Sequence, residues 1–245
     1  MDERFQREAL LIGEEGVARL SRARVAVFGV GGVGSYAAEA LARCGVGHVE
    51  LIDNDAVSVS NINRQLCALD STVGQPKVSV MAARMRDINP QIEVTERQEF
   101  FLPECRSSFD FSRYDFVIDA IDTVAGKLAI VESAKEAGVP MISCMGTGNK
   151  CDPTALTVTD IYKTSTCPLA RVMRRELKKR GVKKLSVVYS EEPVMEQREV
   201  SFSDSAKPLP GSLSFVPPVA GFIAASEAVK TILGQNNRSE KESHE

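Results

Sequence analysis

The chain has 245 residues, 43% hydrophobic and 26% charged, enough to bury a substantial core in one α/β domain. No run approaches the ~18 apolar residues of a membrane span, and the N-terminus opens no apolar leader, so neither membrane association nor secretion is expected. The six cysteines include no C-x-x-C pair, which excludes a paired zinc knuckle and predicts a reducing, cytoplasmic setting, while the net charge of −3 says little until its distribution is traced.

Val25 to Phe28 predicts a short buried strand, Val33 to Arg43 a helix, and Val49 to Ile52 a second strand. Lys77 to Ile88 has helical apolar spacing, and Ile92 to Thr95 alternates like a strand. Phe116 to Ile118 is a buried strand, Gly126 to Ala137 a helix stopped by Gly138, and Met141 to Ser143 a further strand. Such alternation implies right-handed crossovers and a mostly parallel sheet. Beyond Gly148, Thr154 to Asp160 and Leu185 to Tyr189 predict strands, and Pro168 opens a basic helix running to about Arg180. The polar segment from Glu191 to Gly211 holds three prolines and reads as a long loop. Val216 to Leu233 is interrupted by Ser226, Glu227 and Lys230, as in a packed amphipathic helix. Residues 1–150 are expected to form a nucleotide-binding domain, 151–234 an extension of it with added antiparallel strands, and 235–245 a disordered tail.

The first strand runs into Gly29, Gly31, Gly32, Gly34 and Ser35, a G-x-G-x-x-G turn that opens a helix. Glycines let backbone N–H groups approach a phosphate, and the helix N-terminus adds positive potential. Asp53 ends the second strand 19 residues after Gly34, where a carboxylate can bond a ribose hydroxyl. A Rossmann-like, mostly parallel sheet flanked by helices follows, and this much also suits an NAD-dependent oxidoreductase.

The succeeding residues break that tie. Asp53 and Asp55 form D-x-D, Asn61, Arg64 and Gln65 form N-x-x-R-Q, Val73, Gly74 and Lys77 form V-G-x-x-K, and Asp119 and Asp122 form a late D-x-x-D. With Arg4, Phe5 and Arg7 near the start, these resemble the superfamily of ubiquitin-activating enzymes and bacterial sulfur-carrier adenylyltransferases. Thr123 replaces the asparagine usual after the second aspartate. The resemblance implies ATP and Mg²⁺, with Arg64 and Lys77 on the triphosphate and Asp122, at the end of the fourth parallel strand, as metal ligand. Asp55 and Asp119 are weaker metal candidates, and the same resemblance implies that Arg7 acts on a partner's triphosphate across a homodimer. Taken singly, Arg64 could pair with Asp70 and Asp119 could cap a turn. Together they suit adenylation, which needs cations around a triphosphate and a carboxylate for the metal.

The second half resembles the tRNA threonylcarbamoyladenosine dehydratases through Asp152 to Ala170 and Val188 to Glu191. That resemblance implies tRNA as substrate and an acyl-adenylate closed by its own tethered carbamoyl group, with no enzyme thiol. Neither His48 nor His244, the two histidines, lies near Cys144, Cys151 or Cys167 in sequence. Cys144 reads as a packed strand-end thiol and Cys167 as a thiol at a helix start. Arg171, Arg174, Arg175, Lys178, Lys179, Arg180, Lys183 and Lys184 stand against Glu176 alone, a local +7 suited to an RNA backbone. An activator of a small sulfur-carrier protein, with or without a sulfur-relay partner, is the main alternative. A non-catalytic RNA-binding module is another. The apolar C-terminal helix, expected to need a partner surface, also argues for the homodimer.

Overall fold

The computed structural model describes residues 2–198 and 210–235. Its strands are β1 (Arg24–Phe28), β2 (His48–Ile52), β3 (Glu93–Arg97), β4 (Phe116–Asp119), β5 (Met141–Cys144), β6 (Leu156–Asp160) and β7 (Ser186–Ser190). They form one seven-stranded sheet in the order β3-β2-β1-β4-β5-β7-β6. Every pairing is parallel except β6 with β7. The central strands are short and apolar because both faces are covered. Val25 and Val27 of β1 join one apolar cluster, and Ala26 and Phe28 join the other. The sheet crosses position 150 without a break, since β6 and β7 extend the edge begun by β5.

The helices are α1 (Gln6–Leu20), α2 (Gly34–Arg43), α3 (Lys77–Ile88), α4 (Val124–Ala137), α5 (Pro168–Lys179) and α6 (Val216–Leu233). The one not anticipated is α1. Gly13 breaks its helical geometry at φ 74, and Leu10 and Leu11 are 86% and 87% exposed, so no apolar stripe marks it.

The inner face of α6 is covered within the chain itself, while its outer face keeps Phe222 46% exposed. Pro217 and Pro218 sit in its first turn, where no N–H is needed. Val216, Ala220, Ala224, Ala225 and Ala228 are buried in the cluster shared with α2. The crossing is close at Gly221, where an added Cβ would lie 2.2 Å from the Val33 carbonyl oxygen. Arg19 closes the far end, donating from Nη2 to the Ile232 carbonyl at 2.6 Å and from Nη1 to that of Leu233 at 3.2 Å. By length and composition this 18-residue helix could cross a membrane; here it is a core element of the fold. Most of the central part of the expected 191–211 loop, and all but the first residue of the expected tail, lie outside the described residues.

Candidate active site

The strand order changes direction between β1 and β4, which places a crevice at the carboxyl ends of the parallel strands. A cavity of about 790 Å³ opens there. Gly29, Gly31 and Gly32 line it after β1, Asp53 to Asp55 after β2, Glu99 to Phe101 after β3, Ala120 to Thr123 after β4, and Cys144 to Lys150 after β5.

The glycine loop is fixed before any ligand arrives. Gly29 has φ 88, and an added Cβ would lie 2.7 Å from the Ala120 carbonyl oxygen. Asp53 braces the loop: Oδ2 accepts from the Val30 N–H at 2.6 Å and Oδ1 from that of Asp55 at 2.8 Å. Each oxygen keeps a lone pair for a ribose hydroxyl. Gly34 and Ser35 are buried behind the wall of the cavity rather than in its lining. Gly34 is needed for packing, since a Cβ there would sit 1.7 Å from the Gly29 carbonyl oxygen. Ser35 is buried; its Oγ donates to the Gly31 carbonyl at 2.6 Å and accepts from the Leu66 N–H at 3.2 Å, pinning the 61–66 segment to the loop.

That pin sets the cations. Arg64 is half-buried beside Gly32, where an added Cβ would stand 3.5 Å from Arg64 Cγ. Its Nη1 donates to the Ser60 carbonyl at 2.9 Å and to Asn63 Oδ1 at 2.8 Å, with no pairing to Asp70. Asn61 and Gln65 are buried in the cavity wall, and Asn61 Oδ1 accepts from the Ser58 N–H at 3.1 Å. Lys77, the first residue of α3, is 4% exposed and donates from Nζ to Asp55 Oδ2 at 2.7 Å. Asp55 is therefore Lys77's partner in this structure.

The acids separate by environment. β4 ends at Asp119, so Asp122 lies three residues past the strand rather than at its end. Asp122 is exposed, lines the cavity, and among the described residues has no hydrogen bond or ion pair. Asp119 is not available as a metal ligand, because it is fully buried and paired. Its Oδ2 accepts from Lys127 Nζ at 3.0 Å and from Ser143 Oγ at 2.5 Å, and Oδ1 accepts from the Ile121 N–H at 3.3 Å. Lys127 also donates to the Cys144 carbonyl at 2.8 Å, tying together the ends of β4 and β5. Burial pushes the Cys144 thiol up to about 12, opposed by Lys127, and the residue is 3% exposed at the end of β5. Cys167 is 2% exposed at the start of α5 and forms part of the cavity wall.

The basic segment is not one uniform patch. Ala170, Met173 and Leu177 form the buried stripe of α5. Arg174 lies along it, half-buried, and donates to the Thr164 carbonyl and hydroxyl, which removes it from the RNA-facing set. Arg175, Lys179 and Arg180 share Glu176, whose carboxyl is held down to about 2 by Lys179 and Arg180 first. Arg171, Lys178, Lys183 and Lys184 are exposed and, among the described residues, unpaired. Arg7 is exposed on α1 and does not line the cavity of its own chain.

Three contributors escaped the sequence reading. Phe100 and Phe101 supply an aromatic wall, and Phe101 packs edge-on to Phe28 at 4.9 Å. Lys150 is 2% exposed and also lines the cavity. An isolated lysine in a loop carries no spacing signal, whereas the paired phenylalanines after β3 could have been noticed.

The model of the ThiF family matches residues 5–244. A tRNA threonylcarbamoyladenosine dehydratase from Bacillus subtilis is 46% identical over 239 residues, 94% of each chain. The crystal structure of the Escherichia coli tRNA N6-threonylcarbamoyladenosine dehydratase TcdA in complex with ATP superposes with a TM-score of 0.87 at 38% identity over 96% of both chains. Its complex with AMP gives 0.86 at the same identity and coverage.

Proposed function

The chain belongs to the ThiF family, and from that premise we propose that it is an ATP-dependent tRNA threonylcarbamoyladenosine dehydratase acting through an acyl-adenylate. The observation that carries this reading is the gathering of Arg64, Lys77 and the unpartnered Asp122 around the glycine loop in one cavity. A dehydrogenase has to hold only a pyrophosphate and a ribose; two cations and a free acid suit a triphosphate that must be cleaved.

Asp53 takes the ribose, and Arg64 and Lys77 draw charge from the phosphates. The substrate carboxylate attacks the α-phosphorus, the α–β phosphoanhydride bond breaks, and pyrophosphate leaves. The tethered carbamoyl group of the same modification then attacks the activated carbonyl to close a five-membered ring. The ring closes, AMP departs with the former carboxylate oxygen, and one proton is released. A tethered nucleophile can reach effective molarities on the order of 10⁵ M, so no cysteine is required. Asp122 fits Mg²⁺, which takes one or two carboxylates and completes its shell with phosphate oxygens and water. When bound, the ion neutralises charge on the departing pyrophosphate.

Arg171, Lys178, Lys183 and Lys184 contact the tRNA backbone, and Arg7 of a second copy completes the triphosphate site in a homodimer. All six cysteines are free, in keeping with work in the reducing cytoplasm. The test is mass spectrometry of nucleosides from tRNA incubated with the protein, ATP and Mg²⁺. Loss of one water from threonylcarbamoyladenosine is expected. Unchanged nucleoside, together with pyrophosphate exchange that depends on a Gly-Gly-tailed carrier protein, would overturn the reading.

A further inference from the structure

Charge is unevenly spread over the segments that line the cavity. Around the glycine loop, Arg64 and Lys77 are interleaved with Asp53, Asp55, Glu99 and Asp122. The lining segments Gly146 to Lys150, Cys167 to Leu169 and Pro210 to Ser212 hold no acid among their described residues and one cation, Lys150. That ammonium is 2% exposed, yet among the described residues it has no carboxylate within the 4.0 Å of an ion pair. Its acceptor is the Glu192 backbone carbonyl. The Glu192 carboxylate is used elsewhere, accepting from the N–H of Cys151 at 3.0 Å and of Asp152 at 2.9 Å.

A buried ammonium with no carboxylate in ion-pair contact among the described residues is unfavourable, and the imbalance is relieved when an anion enters beside it. Burial pushes the Lys150 pKa down, the direction expected of an uncompensated cation, against smaller upward effects from Cys167 and Glu192. Its position is fixed by its neighbour: Asn149, at φ 55, donates its N–H to the Gly211 carbonyl at 2.7 Å and accepts the Gly211 N–H on Oδ1 at 2.6 Å. One positive charge with no acid among the described residues of these segments fits a monoanion better than a polyphosphate.

We propose that Lys150 receives the carboxylate of the amino-acid arm on the modified adenosine and holds it beside the nucleotide for attack on the α-phosphorus. This assignment rests on the dehydratase reading, and the experiment separates the two. Threonylcarbamoyladenosine and its methyl ester are titrated into the protein with a non-hydrolysable ATP analogue, using wild type, Lys150→Met and Lys150→Arg. ATP affinity and tRNA dehydration kinetics are measured on the same three proteins.

Wild type is expected to prefer the acid over the ester by about tenfold or more, the scale of one charge-assisted hydrogen bond. Lys150→Met should lose that preference and raise the KM for tRNA about tenfold, with ATP affinity held within about twofold. Lys150→Arg should keep the preference, which a purely structural role for the residue does not explain. Retained discrimination in Lys150→Met overturns the assignment, as does a loss of ATP affinity, which would place the ammonium on a phosphate. A wild-type protein that dehydrates no tRNA and binds neither nucleoside removes the dehydratase reading and this assignment with it.

Discussion

At the scale of single residues, the two charges expected to act on ATP differ in what else they do. Asp122 is exposed and, among the described residues, unpartnered, so its carboxylate contributes little to the folded state. Asp122→Ala should leave the melting temperature within about 1 °C of wild type, while ATP turnover falls about a hundredfold or more. Lys77 also buries its stem at the head of α3 and pairs with Asp55. Lys77→Ala should lose turnover and also about 1–2 kcal/mol of stability, read as a drop of roughly 2–8 °C. Equal thermal effects from the two substitutions would contradict this division. Residues such as Asp122, Arg64 and Lys77 are legible in sequence because their chemistry comes in ordered spacing. Lys150 is not, because its significance lies in the absence of a nearby acid, and only the fold brings the walls together that reveal it.

Between elements, glycine loop and helix meet with no spare volume. A Cβ at Gly34 would stand 1.7 Å from the Gly29 carbonyl oxygen, a backbone atom that cannot swing aside. Gly34→Ala should therefore cost about 3 kcal/mol, seen as a fall in melting temperature of roughly 6–12 °C, and weaken ATP binding along with it. Across α2 and α3, Glu39 is clamped by Arg84 through Nε at 2.7 Å and Nη2 at 2.9 Å, and by Arg43 within α2. Burial alone would raise the Glu39 carboxyl, but Arg84 and Arg43 override it and hold it below the usual value. A carboxyl depressed in the folded state stabilises above its unfolded pKa of about 4.3, and that stabilisation is lost as pH falls through the folded pKa. Arg84→Met should thus lower the melting temperature by roughly 2–4 °C at pH 7, with the gap closing below about pH 4. A gap that persists at pH 3 would show that Arg84 acts by packing. Most elements were readable from apolar period and punctuation, Lys77–Ile88 to the residue. The first helix was not, because Gly13 and the exposed Leu10 and Leu11 remove both signals. The phase of α5 is carried by Ala170, Met173 and Leu177, an inner stripe beside which Arg174 falls, but counting charges alone groups Arg174 with the RNA-facing residues.

Across the whole molecule, a net charge of −3 coexists with a basic helix on one side of the sheet. A polyanion approaching such a surface is repelled in most orientations and admitted where cations stand unpaired. The pairing pattern therefore ranks the basic residues more finely than their number does. Among the described residues Lys178 and Lys183 are exposed without a partner, Lys179 shares Glu176, and Arg174 is spent on Thr164. Each phosphate contact contributes about 0.7–0.9 to the slope of log affinity against log salt. Lys178→Gln and Lys183→Gln should each weaken tRNA binding and flatten that slope by close to this amount. Arg174→Gln should leave the slope unchanged and instead cost about 1–2 kcal/mol of stability, because its hydrogen bonds hold the Thr164 turn against α5. Filter binding across a salt series, run beside thermal melts of the same proteins, distinguishes the two behaviours. A flattened slope in Arg174→Gln would mean that this arginine leaves Thr164 to meet the RNA. Slopes unchanged in both lysine variants would move the tRNA to another face.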